Sequence, residues 1–214
     1  MMKTEIELVD IKSAIKQLGK TDERMAEFLT IAPEFNLKVA DFSSVYQALI
    51  ESIISQQLSM KASNCIFKRL CNLCFFNNKI KPLDIIRTGD EELHEIGISK
   101  PKITAIRDLT DYEMNGDLPD YNQLLTMSNE DIIRNLTRIR GIGQWTVEML
   151  LIFKLGRKDV FSLTDLGLRK GFAIVQRTYP KLPSIEKMQS HAEKHWKPYR
   201  SIASWYLWRA CEGL

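Results

Sequence analysis

The spacing of apolar residues constrains the fold of this chain more than any other feature. Along almost all of the 214 residues, apolar side chains recur every three to four positions, and no convincing alternating run indicates a strand. The sequence therefore predicts an all-α protein. Helices are expected over the following ranges, with ends accurate to about two to four residues: 10–19, 22–31, 42–55, 60–75, 90–96, 100–115, 129–138, 143–155, 166–178, 184–195 and 198–211.

The apolar content also bounds the domain organisation. Apolar residues make up 44% of the chain, enough for one substantial core or two smaller helical lobes. No low-complexity linker divides the sequence, so a second lobe must form from segments that return to a common core. We expect a single unit over 1–214 with a middle subdomain of about 43–136 and another that joins about 1–42 to 137–214.

Cysteine usage and hydropathy indicate the environment of the protein. The N-terminal residues do not combine a basic stretch, an apolar run and a small-residue cleavage site. This pattern favours a reducing, cytoplasmic location, associated with the nucleoid if the source is bacterial. No window approaches the roughly 18 to 20 uninterrupted apolar residues of a membrane-spanning helix, so no membrane partner is expected. The four cysteines are Cys65, Cys71, Cys74 and Cys211.

Positive charge is concentrated in one part of the chain. The net charge is +3, but residues 134–172 hold eight basic residues against three acidic ones, a local net charge of +5 that leaves −2 for the remainder. Local positive charge beside glycines points to a polyanion such as nucleic acid. Helical proteins also carry solvated basic faces, so charge alone leaves both interpretations open.

Two glycines, Gly141 and Gly143, separate two helical patterns and permit a tight reversal with positive or otherwise strained φ. The second helix begins at Gln144. Its first amides have no partner inside the helix, and with the helix dipole they form an anion site that a phosphate can approach closely. The same glycines are compatible with a turn that serves packing only. Ser128, with Asp131 three residues on, has the pattern of an N-cap for the first helix.

Four segments in order make the chain similar to a known family. It resembles the helix-hairpin-helix DNA glycosylases, and most closely the DNA-3-methyladenine glycosylase II group. The segments lie within residues 51–209, about three quarters of the chain. They are ESIISQQLS (51–59), GISKPKITAIRDL (97–109), RIRGIGQWTVEMLL continuing to DVFSLTDLGLRKGF (138–172), and WKPYRSIASWYLWR (196–209).

The resemblance implies two α-helical subdomains flanking a DNA-binding cleft, with a helix-hairpin-helix motif at about 129–155 and no N-terminal β-domain. In such enzymes the hairpin clamps the backbone of the damaged strand, and the damaged nucleotide turns out of the duplex. Water then replaces the base on the sugar. The expected backbone contacts are Gly141, Ile142, Gly143, Gln144 and Thr146.

Asp165 matches the catalytic aspartate of the family. Cleavage of an N-glycosidic bond builds positive charge on deoxyribose, and a preorganised carboxylate stabilises that charge. Asp165 also stands where an aspartate would cap the helix expected at 166. The two roles can coexist.

Aromatic residues distinguish branches of the family. Glycosylases of this superfamily that also cut the backbone carry a lysine two residues after the second hairpin glycine, where it forms a Schiff base. This chain has Trp145 there, so water is the expected nucleophile. Trp145 and Trp208 are expected to line the base pocket, where an indole face favours a cationic purine. Either tryptophan is also compatible with a place in the core.

Two departures from the family pattern concern the choice of damaged base. The resemblance implies that Gln57 fills the gap left by the flipped base, with Gln56 beside it in the base pocket. A leucine fills that gap in a well-known pattern of the group. Met149 is expected in the base pocket, where some relatives have a tyrosine. Gln56 is also compatible with a solvent-facing position on an amphipathic helix.

The resemblance also implies a monovalent cation, Na⁺ or K⁺, held at the hairpin by the backbone carbonyls of Thr137, Ile139 and Ile142. No cofactor is expected for the chemistry. The four-cysteine pattern of an iron–sulfur cluster is absent, and so is a zinc pattern among the histidines. The cysteines at 65, 71 and 74 are therefore expected to be small, buried or partly buried apolar residues.

The sequence thus predicts a monofunctional DNA glycosylase that excises alkylated purines, 3-methyladenine first and 7-methylguanine second. Its partner would be double-stranded DNA containing alkylated bases, and it would act as a monomer. Two alternatives stay open at this point. One is a related glycosylase for mismatched or oxidised bases, and the other is a non-catalytic hairpin protein that binds DNA.

Overall fold

The computed structural model describes residues 4–40, 44–74 and 79–213. Every regular element among these residues is an α-helix, which confirms the predicted all-α class. In chain order they are α1 (Glu5–Leu8), α2 (Ile11–Thr21), α3 (Glu23–Leu29), α4 (Val45–Ser55), α5 (Met60–Leu73), α6 (Pro82–Arg87), α7 (Asp90–Glu95), α8 (Lys100–Met114), α9 (Tyr121–Thr126), α10 (Asn129–Leu136), α11 (Gln144–Phe153), α12 (Leu166–Val175), α13 (Ile185–His195) and α14 (Arg200–Glu212).

All eleven predicted helices are present. Residues 42, 43 and 75, which the predicted helices include, lie outside the described residues. The sequence does not predict α1, α6 and α9, which have four to six residues and so display little of a helical period. The equally short α7 does lie within a predicted range. No helix within the three described ranges is long and apolar enough to cross a lipid bilayer.

The chain divides into two compact units. Unit 1 comprises Met1–Ala40 and Glu148–Leu214, and unit 2 comprises Asp41–Val147. The second boundary therefore falls inside α11 and not at 136–137, where the sequence places it. The physical reason is that the hairpin is bonded to unit 2, since the Arg140 amide donates to Asp108 and the Gly141 carbonyl accepts from Gln56.

Unit 2 is built around α4 and α8. Helix α4 packs against α5 and α8, and α8 also contacts α6 and α7. Tyr46 is 1% exposed, and its hydroxyl shares a 2.8 Å hydrogen bond with Thr110. Burial raises the pKa of the Cys74 thiol to about 11, so it stays protonated. Cys65 is exposed, unlike the buried or partly buried position expected for it.

Unit 1 depends on the close approach of α12 and α14. A Cβ at Gly171 would lie 2.0 Å from the carbonyl oxygen of Leu207, so only glycine lets the two backbones meet there. The N-terminal segment joins the same unit through backbone bonds from Ile6 to Gly156 and from Ala40 to Phe153.

A buried carboxylate ties three regions of unit 1 together. Asp22 accepts hydrogen bonds from the Met25 amide, His191, Trp196 and Gln176. Burial alone would raise the pKa of this carboxyl, but the hydrogen bonds and the charge of His191 outweigh burial and lower the pKa to about 2. The network holds the junction of α2 and α3 against α12 and α13.

Candidate functional site

The predicted hairpin joins α10 to α11 within unit 2. The Asp131 amide donates to the Ser128 hydroxyl at 3.0 Å, which confirms the predicted cap of α10. Gly141 has φ +78°, and a Cβ there would lie 2.6 Å from Ala105 Cβ, so both conformation and space require glycine. Gly143 is not among the glycines with positive φ. A Cβ there would meet nothing within 4 Å, so its side of the turn is open to an approaching group.

Side chains from elsewhere in unit 2 fix the hairpin backbone. Asp108 Oδ2 accepts from the Arg140 amide at 2.7 Å, and Gln56 Nε2 donates to the Gly141 carbonyl at 2.9 Å. Gln56 also lies 3.4 Å from the Thr146 hydroxyl. The turn that precedes α11 is thus held by two side chains, one on each of two consecutive residues.

The carbonyls named for the cation belong to this turn. Thr137 is the C-cap of α10, where helix carbonyls lose their internal partners. The Ile139 carbonyl accepts the Ile142 amide at 3.1 Å and retains a second lone pair. Ile139 and Ile142 are buried, so their side chains anchor the turn while their backbones form it.

Asp165 is half-buried in unit 1 and is the N-cap of α12. Its Oδ1 accepts from the Leu168 amide at 2.7 Å and from Trp208 Nε1 at 3.2 Å. The capping role considered from the sequence is therefore real. These donors orient the carboxylate, and the structure brings Asp165 and Trp208 together.

Trp208 is held by ring packing as well as by its hydrogen bond to Asp165. It stacks on Phe153 with ring centroids 5.5 Å apart. A Cβ at Gly167 would lie 3.2 Å from Trp208 Cδ1 and 3.1 Å from Asp165 Oδ1, so glycine at 167 leaves room for both groups. Sequence reasoning missed Gly167, because one of the two groups it makes room for, Trp208, lies about forty residues away in the chain.

The other tryptophans divide between surface and core. Trp145 is 43% exposed in unit 2, so it is not a core residue. Met149 follows one turn later on α11, is half-buried and belongs to unit 1. Trp205 and Trp196 are buried in unit 1, the first in edge contact with Phe35 and the second bonded to Asp22.

Gln56 and Gln57 have different environments in unit 2. The side chain of Gln56 holds the hairpin, as described above, whereas Gln57 is exposed and has φ +57°. Lys102, on α8, donates to the carbonyls of Ile54 at 2.8 Å and Gln56 at 2.9 Å. Burial lowers the pKa of this ammonium group. Sequence reasoning missed Lys102 and Asp108, since neither forms a local pattern with its partners.

No group of three or more His, Cys, Asp or Glu side chains that could hold a metal ion occurs in the described part of the chain. The predicted hairpin cation would use backbone carbonyls, so its ligands are of another kind.

The hairpin, the capped aspartate and the all-helical units define a helix-hairpin-helix protein. Residues 50–198 match the family model described as HhH-GPD superfamily base excision DNA repair protein. The chain belongs to this superfamily, which confirms the resemblance predicted from the sequence.

Individual relatives extend the match over most of the chain. DNA-3-methyladenine glycosylase 1 of Schizosaccharomyces pombe is 38% identical over 77% of this chain and 71% of that protein. The alkylbase DNA glycosidase-like protein mag2 of the same organism is 33% identical over 94% of this chain and 93% of that protein. The solved structure of the S. pombe 3-methyladenine DNA glycosylase Mag1 in complex with abasic DNA has a TM-score of 0.80 and 34% identity, covering 92% of this chain and 95% of that one.

Proposed function

We propose that this protein is a monofunctional DNA glycosylase that excises alkylated purines, 3-methyladenine first and 7-methylguanine second, in base excision repair. The observation that carries the proposal is the pair of hydrogen bonds on Asp165, 2.7 Å from the Leu168 amide and 3.2 Å from Trp208 Nε1. The names of the relatives at 33% to 38% identity support the substrate class.

The chemistry follows from a fixed negative charge. When the N-glycosidic bond breaks, its electron pair leaves with the base and positive charge develops on deoxyribose. The Asp165 carboxylate stabilises that charge without reorganising, because two donors already orient it. Water then bonds to the anomeric carbon and gives up a proton to Asp165 or to solvent. A purine made cationic by alkylation leaves as a neutral base, so no strong general acid is needed.

The residue after the hairpin supports water as the nucleophile. Trp145 has no amine to form a Schiff base, so a lyase step is not expected. Its exposed indole offers a face on which an electron-poor base can stack, worth about 0.5 to 2 kcal/mol.

The hairpin supports binding to the backbone of double-stranded DNA. Open space in front of Gly143 and the positive end of the α11 helix dipole suit a phosphate. Such contacts position the protein without reading sequence. We propose that the protein acts as a monomer on this substrate, which light scattering of the free protein and of its DNA complex would test.

We further propose that the backbone carbonyls of Thr137, Ile139 and Ile142 would hold a monovalent cation, Na⁺ or K⁺, whose positive charge would favour a DNA phosphate at the hairpin. The reaction exchanges no electrons, so it needs no redox cofactor. An iron–sulfur cluster is not proposed, because the sequence lacks the four-cysteine pattern of such a cluster.

The test is chromatography of the bases released from methylated duplex DNA by wild type and by Asp165→Asn. Asparagine keeps an oxygen acceptor for Leu168 and Trp208, and it caps helices about as well as aspartate. The variant therefore separates the charge from the cap. Release is expected to fall about 100- to 1,000-fold, with little change in melting temperature.

Asp165→Ala serves as the matched control, because it removes both charge and cap. It is expected to lose release to the same extent and also about 1 kcal/mol of stability. Unchanged release by Asp165→Asn would refute the mechanism. Release from oxidised or mismatched duplexes alone would overturn the substrate class, and tight DNA binding without release from any duplex would favour the non-catalytic alternative.

A further inference from the structure

The loop between α4 and α5 is a strained turn at residues 55–58. The Leu58 amide donates to the Ser55 carbonyl at 3.1 Å. Gln56 has φ −51° and ψ 128°, and Gln57 has φ +57°. These angles match a type II turn, whose third position ordinarily holds glycine. A side chain there costs roughly 1 to 2 kcal/mol, so neighbouring groups must hold the turn in this form.

One peptide group determines the type of turn. Type I and type II turns differ mainly in the orientation of the peptide between their second and third residues. Here that peptide carries the Gln56 carbonyl, and Lys102 Nζ lies 2.9 Å from its oxygen. The same ammonium group lies 2.8 Å from the Ile54 carbonyl near the end of α4, where positive charge also interacts favourably with the helix dipole. Rotation of the peptide would turn the Gln56 oxygen away from this charge.

The other side of the turn is bonded to the hairpin. Gln56 Nε2 donates to the Gly141 carbonyl at 2.9 Å. The Gln56 side chain and its carbonyl are therefore both fixed, and the next two side chains, Gln57 and Leu58, are exposed. All of these residues belong to unit 2.

We propose that Lys102 is a positioning residue for Gln57: its ammonium group holds the 56–57 peptide in the orientation that keeps Gln57 at positive φ, ready to enter the duplex when a nucleotide flips out. The inference rests on the proposed function, because only a protein that extrudes a nucleotide needs such a side chain. Lys102 acts through the turn and contacts neither the damaged base nor the sugar.

The experiment compares two substrates. One duplex carries 7-methylguanine opposite cytosine, and the other carries it opposite an abasic spacer, where extrusion breaks no base pair. Lys102→Met keeps the aliphatic length and removes the charge, and Lys102→Arg restores a cation with several donors. We expect Lys102→Met to slow single-turnover release about tenfold on the paired duplex and less than twofold on the unpaired one. Lys102→Arg should recover most of the lost release rate on the paired duplex.

A double-mutant cycle with Gln57→Ala distinguishes positioning from general support. If Lys102 acts through Gln57, adding Lys102→Met to Gln57→Ala slows release less than twofold further. Additive effects, or equal slowing on both duplexes, would overturn the proposal. If Lys102→Met melts too low to assay, Lys102→Gln, which keeps an uncharged donor, takes its place in the same cycle.

A binding measurement keeps this inference separate from the proposed activity. If wild type releases no base from any duplex, the proposed function fails. The position of Gln57 can still be followed through 2-aminopurine fluorescence beside a stable abasic-site analogue, which rises when a side chain disrupts stacking. We expect the rise with wild type and Lys102→Arg, and a smaller rise with Lys102→Met. Equal fluorescence for all three proteins would refute the role of Lys102.

Discussion

Replacing Gly171 by alanine tests the packing on which unit 1 and its aspartate depend. The new Cβ would lie 2.0 Å from the Leu207 oxygen, 2.6 Å from its carbonyl carbon and 3.0 Å from its Cα. Ordinary contacts between such atoms are about 3.5 Å. Because the obstructing atoms are backbone, no side-chain rotation relieves the clash, and α12 and α14 must move apart by more than about 1 Å.

The cost follows from two opposing effects. Overpacking typically costs about 1 to 3 kcal/mol and occasionally more, and a backbone obstruction belongs at the upper end. Alanine recovers about 1 kcal/mol through its higher helix propensity. The net loss is therefore about 2 kcal/mol or more, which lowers the melting temperature of a protein of this size by roughly 4 to 8 °C.

Gly171→Ala should also slow base release at temperatures where the protein is still folded. Trp208 follows Leu207 in α14 and lies 3.2 Å from Asp165 Oδ1, so displacement of the helix breaks this bond. Misplacement of about 1 Å at a reacting centre costs up to about 100-fold in rate. Base release measured well below the melting temperature would reveal this loss.

Gly19→Ala provides the matched control. Gly19 lies in α2 of the same unit, and its added Cβ would be 3.4 Å from Ala26 Cβ, an ordinary contact. The free energy of unfolding of Gly19→Ala should rise by up to about 1 kcal/mol, and the variant should release bases at the wild-type rate. If Gly171→Ala melts at or above the wild-type temperature, the close approach of α12 and α14 is wrong. If both variants lose stability equally, the clash is not the cause.

Asp22→Asn should change how the stability of the protein depends on pH. The Asp22 carboxylate contributes fully to stability above its unfolded pKa near 4, and this contribution is lost as the pH falls through the folded pKa of about 2. The stability gap between wild type and variant, measured by denaturant unfolding, should therefore narrow by about 2 kcal/mol between pH 5 and pH 2, and a constant gap would contradict the lowered pKa. Gly143→Ala should have a free energy of unfolding within about 0.5 kcal/mol of wild type. It should nevertheless bind DNA more weakly, and its affinity should depend less steeply on salt concentration. Unchanged affinity would count against the phosphate contact. Trp208→Phe keeps a ring to stack on Phe153 but removes the indole N–H donor. It should therefore slow base release and lower the free energy of unfolding by about 1 kcal/mol. An unchanged rate of release would show that the donor does not orient Asp165.

Features that depend on residues close in sequence could be predicted. The cap at Ser128 and the cap at Asp165 each join groups three residues apart, and Gly141 adopts the positive φ expected of a hairpin glycine. In these cases the residue that determines the local structure and the backbone that adopts it lie in the same short segment.

Features that depend on distant partners could not be predicted. Gln56 bonds to a carbonyl 85 residues away, and Lys102 bonds to carbonyls 46 and 48 residues away. Because a carbonyl is present at every residue, the acceptor leaves no signature in the sequence. The boundary between the units was misplaced for the same reason, since the contacts of the hairpin with Gln56 and Asp108 decide it.

The division of unit 1 into two chain segments has a consequence for biosynthesis. Unit 2 is continuous, so all of its residues are available for folding once residue 147 has left the ribosome. Residues 4–40 are made before unit 2 but must wait for partners that are made after it, since Asp22 bonds to Trp196 and Thr21 to His195. During that wait the apolar faces of α2 and α3 lack their native cover and are open to aggregation or chaperone binding. Linking the N-terminal segment to the C-terminus by circular permutation at Ala40 would remove this delay.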